Sequence, residues 1–332
     1  MNHPAEPKVS SIYINHYLRY AQEQGVDLTE FNNRNKSQQG QDYWPFETLK
    51  DLIQFLWKKG CPGSLGLDVA KGILVSSHGH LGFGLSHAAN LQEVLELVAK
   101  YYEIRAQFFN IHIEQNDDEW AMNIIPSCDW EPAFNSINES MAGLLFNIIR
   151  YAIGNLVHQC RIDLPFSKPD WHDLYQEQYP PSITYDAEHL TIYIPTSLLP
   201  VQCLAADSRT LSMAKEFCEA ELERLANLYT LTDKLTSIIE AQNEYNLTIE
   251  QAAENLHMSK STLIRKLNAE HQSFKNIMEG LKKRHAVRLL RQTGIKLDAI
   301  ALELGYEDVS NFSRSFKRWF GCSPSAYRNE KR

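Results

Sequence analysis

No run of apolar residues in this 332-residue chain approaches the roughly 18 needed to cross a bilayer. The opening MNHPAEPKVSSIYINHYLRY lacks the basic start, apolar stretch and small-residue cleavage site of a secretory signal. Cysteine is sparse and unpatterned. Cys61, Cys128, Cys160, Cys203, Cys218 and Cys322 form no CxxC pair and read as buried or free thiols of a reducing compartment. A cytoplasmic location without membrane contact is expected. Catalytic signatures are missing as well: there is no G-x-S-x-G, no P-loop and no paired-carboxylate constellation. GHLGFG has neither the spacing nor the strand-then-helix setting of a dinucleotide loop, so its glycines read as tight turns and close packing. His78, His80 and His87 cluster around it, but partner cysteines or carboxylates at ligand spacing are missing. The chain is expected to be no enzyme and to hold no metal or cofactor.

What is present is a globular mixture, 43% hydrophobic and 22% charged, long enough for two domains that each bury a core. Its charge is unevenly placed. From Asn246 to Arg332 there are 16 Lys and Arg against 9 Asp and Glu, a balance of +7, while residues 1–245 carry 17 basic and 32 acidic side chains, a balance of −15. That split suggests an acidic domain joined to one that meets a polyanion. Periodicity agrees with two domains. Upstream, SSIYINHYLRYAQEQG, PFETLKDLIQFLWKKG, GLDVAKGI, NLQEVLELVAKYYEIR, FNSINESMAGLLFNIIRYAIG and SRTLSMAKEFCEAELERLANL have helical spacing, with NNRNKSQQGQD as a loop. QFFNIHIEQ and EWAMNIIP alternate on either side of a polar turn and predict a β-hairpin; QCRIDLPF, SITYD and HLTIYIP predict further short strands. Residues 1–228 are therefore expected to form an α+β domain of helices and a small antiparallel sheet. Residues 229–332 are expected to be all-α.

Within the basic domain one plan occurs twice, over about 248–270 and about 296–320: a short helix, a three-residue turn and a second helix. Ala252/Ala253 and Ala299/Ala301 supply small residues for close helix crossing. Thr248 with Gln251 makes a capping box, and Ser259 and Asp308 suit the N-caps of the two second helices. On the later second helix Phe312, Phe316, Trp319 and Phe320 share one arc, with Ser310, Asn311, Arg314, Lys317 and Arg318 on the other side and Ser313 at its edge. On the earlier one Leu263 and Leu267 face inward, while Lys260, Ser261, Arg265 and Lys266 face out. Arg suits guanine, Asn suits adenine, and Ser suits a base edge or phosphate, so these ten polar residues are the candidate contacts to double-stranded DNA. Between the copies SFKNIMEGLKKRHAVRLLRQTG predicts a linker helix of about 30 Å, close to the roughly 34 Å of one B-DNA turn. Lys282, Lys283, Arg284, Arg288 and Arg291 on it form a solvated cationic face.

IALELGYEDVSNFSRSFKRWFGCSPSAYR resembles the late signature of the AraC/XylS-type transcription regulators, with Gly305 at the turn and Gly321, Pro324, Tyr327 and Arg328 in place. The resemblance implies a DNA-binding domain with two helix-turn-helix motifs. It places Ser261 and Arg265, and later Ser310, Asn311 and Arg314, at base-facing positions. Ile264 departs from the pattern: an apolar side chain there meets a thymine methyl or packs internally. SSHGHLGFGLSHAANLQEVLELVAKYYEIR and the hairpin after it resemble the arabinose-binding-type N-terminal domain of a subgroup of these regulators. That resemblance implies a small-molecule effector, activation through contact with RNA polymerase, and an N-terminal domain that senses, forms a homodimer, or both. Tyr101, Tyr102, Phe108, Phe109, Trp120 and Phe134 are plentiful enough to line a pocket, and Arg105 and Arg150 are the candidate counter-charges for an anionic effector. An enzyme-like N-terminal domain fused to a DNA-targeting module is the alternative.

Overall fold

The computed structural model describes residues 7–180, 182–228, 230–242, 244–291 and 295–330, and these divide into two compact units that meet at 226/227. The first contains β1 (Lys8–Ser10), α1 (Ser11–Glu23), α2 (Thr29–Arg34), β2 (Tyr43–Pro45), α3 (Phe46–Lys58), α4 (Leu65–Lys71), α5 (Gly79–His87), α6 (Leu91–Tyr101), β3 (Phe109–Gln115), β4 (Glu119–Pro126), α7 (Phe134–Ile153), β5 (Arg161–Asp163), β6 (Ser182–Thr184), β7 (Leu190–Pro195) and α8 (Ser208–Leu228). β3 and β4 form the expected hairpin, Phe109 opposite Pro126 and Gln115 opposite Trp120. The five-stranded sheet has the order β3-β4-β7-β5-β6. It is not wholly antiparallel as expected, because β5 and β6 run parallel. A parallel pair needs a long return of the chain, and residues 164–181 supply it. One further difference is local. Part of NNRNKSQQGQD is helical, in α2 and a short 3-10 turn at Lys36–Gln38. Of the GHLGFG glycines, Gly79 takes φ +58° where the 3-10 turn Val75–His78 passes into α5, as a turn glycine does, while Gly82 and Gly84 lie inside α5 and serve close packing.

Helix α7 is the axis of this unit. Within Phe134–Gln159 an 18-residue stretch is apolar enough, at a mean hydropathy of 1.3, to cross a membrane by composition, yet 67% of that stretch is buried, as in a core helix. α4 crosses it so closely that a Cβ on Gly66 would lie 2.0 Å from the Ser136 carbonyl oxygen. No side chain fits there. One buried carboxylate organises the return segment. Glu139 Oε1 accepts from Trp171 Nε1 at 2.7 Å and Tyr175 Oη at 2.5 Å, and the Glu139 carbonyl accepts from Tyr179 Oη at 2.7 Å. Gln178 adds a bond from Nε2 to the Leu67 carbonyl, 3.0 Å, and its own carbonyl accepts from Arg150. Glu139 Oε2 has no protein partner among the described residues.

The second unit is helical: α9 (Leu231–Gln242), α10 (Ile249–Asn255), α11 (Lys260–Ala269), α12 (Phe274–Arg291), α13 (Leu297–Glu303), α14 (Val309–Phe320) and α15 (Pro324–Glu330). It holds two separate cores. Leu235, Ile239, Tyr245, Ala252, Ala253, Leu263 and Leu267 build one with the start of α12; Ile300, Ala301, Leu304, Phe312 and Phe316 build the other with its end. Ala299 is exposed, so Ile300 and Ala301 make the crossing in the second hairpin.

Burial pushes the Glu139 carboxyl up to about 7, only partly offset by the bonds from Tyr175 and Trp171. Between about pH 4.5 and about pH 7 the folded chain therefore holds a proton that the unfolded chain has lost. Stability then falls as pH rises through that window, by up to about 3 kcal/mol. Glu139→Gln keeps the acceptor oxygen and removes the titration. From about pH 5 to about pH 8, Tm of the parent chain is expected to fall relative to that of Glu139→Gln. Parallel pH profiles would show that the buried carboxyl does not titrate in this range.

Candidate nucleic-acid interface

The two helical hairpins of the second unit share one plan, with two differences: Lys296 starts α13 without a side-chain cap, and the second turn is one residue longer, His257 preceding the N-cap Ser259 by two positions and Gly305 preceding Asp308 by three. Thr248 begins α10 with the expected capping box, accepting from the Gln251 N–H while Gln251 accepts from its own N–H at 2.9 Å. Ser259 and Asp308 cap α11 and α14, each accepting from the third residue on, Thr262 and Asn311. Each first helix ends on a left-handed residue, His257 at φ +52° and Gly305 at φ +71°. The next N–H, of Met258 or Tyr306, returns 2.9 Å to the carbonyl of Ala253 or Ala301. At 305 the choice of glycine is forced twice over, because a Cβ there would also lie 2.7 Å from Asn246 Cβ.

These turns deliver α11 and α14 with equivalent faces outward. Leu263 and Leu267, and Phe312 and Phe316, are buried. Opposite them Ser261 and Arg265 on α11 match Ser310 and Arg314 on α14, all four exposed. Both helices thus present a Ser-x-x-x-Arg pair. Ile264 is 39% exposed, so of its two expected roles packing inside is excluded. Asn268, one turn beyond Arg265 and exposed, shares that face and was not singled out by sequence reasoning; the i, i+4, i+7 spacing of 261, 265 and 268 is the signal for it.

The flanks are less free than the sequence implies. Lys260 Nζ lies 2.7 Å from Glu250 Oε1, an exposed pair of small net worth. Lys266 leans beside α9, lining a shallow depression of about 370 Å³ with Leu231, Lys234, Ala269 and Glu270. Asn311 accepts from Arg314 through Oδ1 and donates from Nδ2 to Asp308 at 3.1 Å, so the α14 side chains are linked to each other in the free protein. Ser313 is half-buried, and Lys317 and Arg318 are exposed, Arg318 lying 3.8 Å from Glu279. Of the four aromatics, Phe312 and Phe316 are fully buried and Trp319 half-buried. Phe320 is 37% exposed, covering Phe316 and Tyr327 from outside.

Cations of the linker helix lie beside partners within the domain. Lys282 sits 4.7 Å from the Tyr306 ring centroid, Lys283 is 3.5 Å from Glu279, Arg284 is 3.3 Å from Glu240 and Arg288 bonds His285. The side chain of Arg291 lies outside the described residues.

The first unit holds a cavity of about 290 Å³ lined by Ile124, Ile125, Pro126, Phe134, Pro165 and Leu190, with Asn138, Glu188 and His189 as polar members. Asn138 Nδ2 donates to the Phe134 carbonyl at 2.9 Å. Of the six aromatic candidates only Phe134 reaches this cavity; Tyr101, Tyr102, Phe108, Phe109 and Trp120 are core. Arg105 and Arg150 lie elsewhere, donating to the backbone carbonyls of His78 (2.7 Å) and Gln178 (2.6 Å). The three histidines have separate surroundings. His78 is buried 2.8 Å from Tyr13 Oη, its pKa lowered to about 3 by burial and then by Arg105 and His16. His80 stacks on Phe217, and His87 bonds the Phe83 carbonyl. Among the described residues no group of three or more His, Cys, Asp or Glu is placed to hold a metal ion.

Comparison with known proteins identifies the family of both parts of the chain. Residues 252–330 match the helix-turn-helix domain family, and residues 37–201 match the arabinose-binding N-terminal domain of AraC transcription regulators. The chain is 27% identical to the ornithine utilization regulator of Pseudomonas aeruginosa over 80% of its length and 78% of the relative's. It is 30% identical to the transcriptional activator PerA of Escherichia coli over 31% of the chain and 37% of that protein. In fold it is similar to the crystal structure of the transcriptional regulator CdpR from Pseudomonas aeruginosa, with a TM-score of 0.50, 19% identity, and coverage of 96% and 98% of the two chains. The chain belongs to the AraC family of helix-turn-helix transcription regulators, with an N-terminal domain of the arabinose-binding type.

Proposed function

We propose that this DNA-binding regulator is an activator that reads two successive major grooves with α11 and α14 and answers to a small molecule bound by residues 7–226. The observation that carries the reading is the repeated Ser-x-x-x-Arg face, Ser261/Arg265 and Ser310/Arg314, at the two ends of one helix. The 18 residues of α12 span about 27 Å, a separation of the order of one turn of B-DNA. Arg265 and Arg314 are assigned to guanine edges, Asn311 and Asn268 to adenine or phosphate, and Ser261 and Ser310 to either. Lys260, Lys266, Ser313, Lys317 and Arg318 are assigned to the phosphate backbone, where contacts position without specifying sequence. The name of the activator relative supports activation, with RNA polymerase as the expected protein partner. One chain supplies both recognition helices, so a homodimer would extend the site instead of completing it.

For the effector we assign the cavity beside the first turn of α7. Its walls are mostly apolar, Asn138 and His189 offer hydrogen bonds and Glu188 a carboxylate, which suits a small molecule with an apolar body and a polar head. The relative named for ornithine utilization makes amino acids and related amines the first compounds to try.

A footprint of about 20 base pairs is expected, two half-sites one helical turn apart. Arg314→Ala and Arg265→Ala should each weaken specific binding by about 1–3 kcal/mol while relaxing preference at one base pair. Unchanged affinity in both variants, or equal loss on random DNA, would rule out base reading by these helices. Separately, Ile125→Trp fills the assigned cavity. Native mass spectrometry of the purified full chain should show a small-molecule adduct that this variant lacks, while its DNA affinity without effector stays intact. An adduct retained at full occupancy in Ile125→Trp would place the effector elsewhere.

A further inference from the structure

Helix α12 serves two cores at once. Ile277, Met278 and Leu281 in its first half belong to the core of α9–α11, and Ala286, Leu289 and Leu290 in its second half to that of α13 and α14. His285 stands at the changeover, 4% exposed, with a different partner on each side. Its ring lies flat on Tyr245 of the first core, centroids 4.2 Å apart and planes within 12°. Nε2 is 2.8 Å from Glu303 Oε1 on α13 of the second hairpin, and Nδ1 is 2.7 Å from Arg288 Nη2. A guanidinium can only donate. Nδ1 is therefore the acceptor, and the single proton of the neutral ring sits on Nε2, directed at Glu303. Burial and the Arg288 charge, opposed by Glu303, lower the pKa and hold the ring in that neutral form.

Apolar cores resist separation, but the hydrophobic effect is non-directional and does not fix an angle. A stacked ring with two aimed hydrogen bonds does. Among the described residues the hairpins are also bridged by Trp319 Nε1 donating to Glu279 at 2.7 Å, by Arg318 3.8 Å from the same carboxylate, by Lys282 over Tyr306 and Lys283 over Trp319, and by Gly305 against Asn246, but all of these except the last involve exposed or half-exposed side chains. We propose that His285 is the positioning residue that sets the separation and twist of α11 and α14, and so the spacing between half-sites that this regulator accepts. The proposal rests on the two-groove reading above.

The test begins with a site selected by the full chain from a random library of about 30 base pairs, enough for two half-sites. Affinity is then measured for that site, for versions with one or two base pairs inserted at its centre, and for DNA carrying one half-site. The parent chain is expected to lose on the order of tenfold on insertion. In His285→Ala the loss should shrink to about twofold, with affinity for the single half-site unchanged. His285→Gln, which can accept from Arg288 and donate to Glu303 but not stack, should restore part of the preference. Glu303→Ala breaks the same link from the solvent side without touching the buried ring, so it carries the test if His285→Ala fails to fold; combined with His285→Ala it should add nothing. A folded His285→Ala that keeps the full spacing preference would overturn the clamp, as would a uniform loss on all three kinds of DNA. If the parent chain selects a lone half-site, the two-groove reading fails first, and the selection step alone reveals it.

Discussion

Two arginines on different helices act on one DNA only if the helices are held at a fixed separation, and α12 is what holds them. Its halves are buried in different cores, so the hairpins cannot separate without exposing apolar surface of the helix they share. Hairpins this small have little interior of their own. Sharing α12 gives each a third wall and keeps the two together in the same step. This explains why the linker cations are occupied with Glu240, Glu279, His285 and Tyr306. They lie against the shared helix and its neighbours, whereas Arg265 on α11 and Arg314 on α14 are exposed.

How much of this was legible depends on the range of the interactions involved. The N-caps at Thr248, Ser259 and Asp308, the turn glycine at 305 and the β3–β4 hairpin are set by residues within about four positions of each other, and their chemistry is visible in the sequence. The separation of Phe312 and Phe316 from Arg314 is equally local, being helix period alone. Phe320 fits the same arc but falls at the end of α14, where the core has run out, so it remains 37% exposed. Ala299 fails for a similar reason: small size suggests an inner position, yet Ile300 beside it fills the core. Lys260 and Lys266 face away from the buried leucines as expected, but Glu250 and the start of α9 lie close to them, and neither neighbour can be inferred from α11 itself.

Long-range pairings were out of reach. Glu139 reads as an ordinary polar residue on an otherwise apolar helix, and only the fold brings Trp171, Tyr175 and Tyr179 onto it. A carboxyl in such a place is tolerable because the aromatic donors satisfy one oxygen and burial favours keeping the proton on the group. The same segment produces the parallel β5–β6 pair, since a chain that must cross back to dock on α7 returns to the sheet in its original direction. Arg150 is a second instance. It looked available for an anionic ligand, but it holds the carbonyl of Gln178 in that returning segment.

The proposed reading face also differs between the two helices in a way that bears on specificity. On α14, Asp308 holds Asn311 and Asn311 holds Arg314, so in the free protein the donors and acceptors that would meet bases are already engaged. A matching base must replace those bonds with better ones, while a mismatched base lets the side chains return to each other instead of leaving them unpaired. Discrimination rests on the penalty for an unsatisfied buried group, so this internal linkage softens discrimination on α14. Arg265 occupies the same position on α11, where Thr262 stands in place of Asn311 and offers no carboxamide to receive the guanidinium. On α11 the linkage involves hydroxyls instead, Ser259 Oγ lying 3.0 Å from Ser261 Oγ and 2.8 Å from Thr262 Oγ1, so if the two helices read bases as proposed, the difference between their half-sites would rest on Arg265 and Arg314.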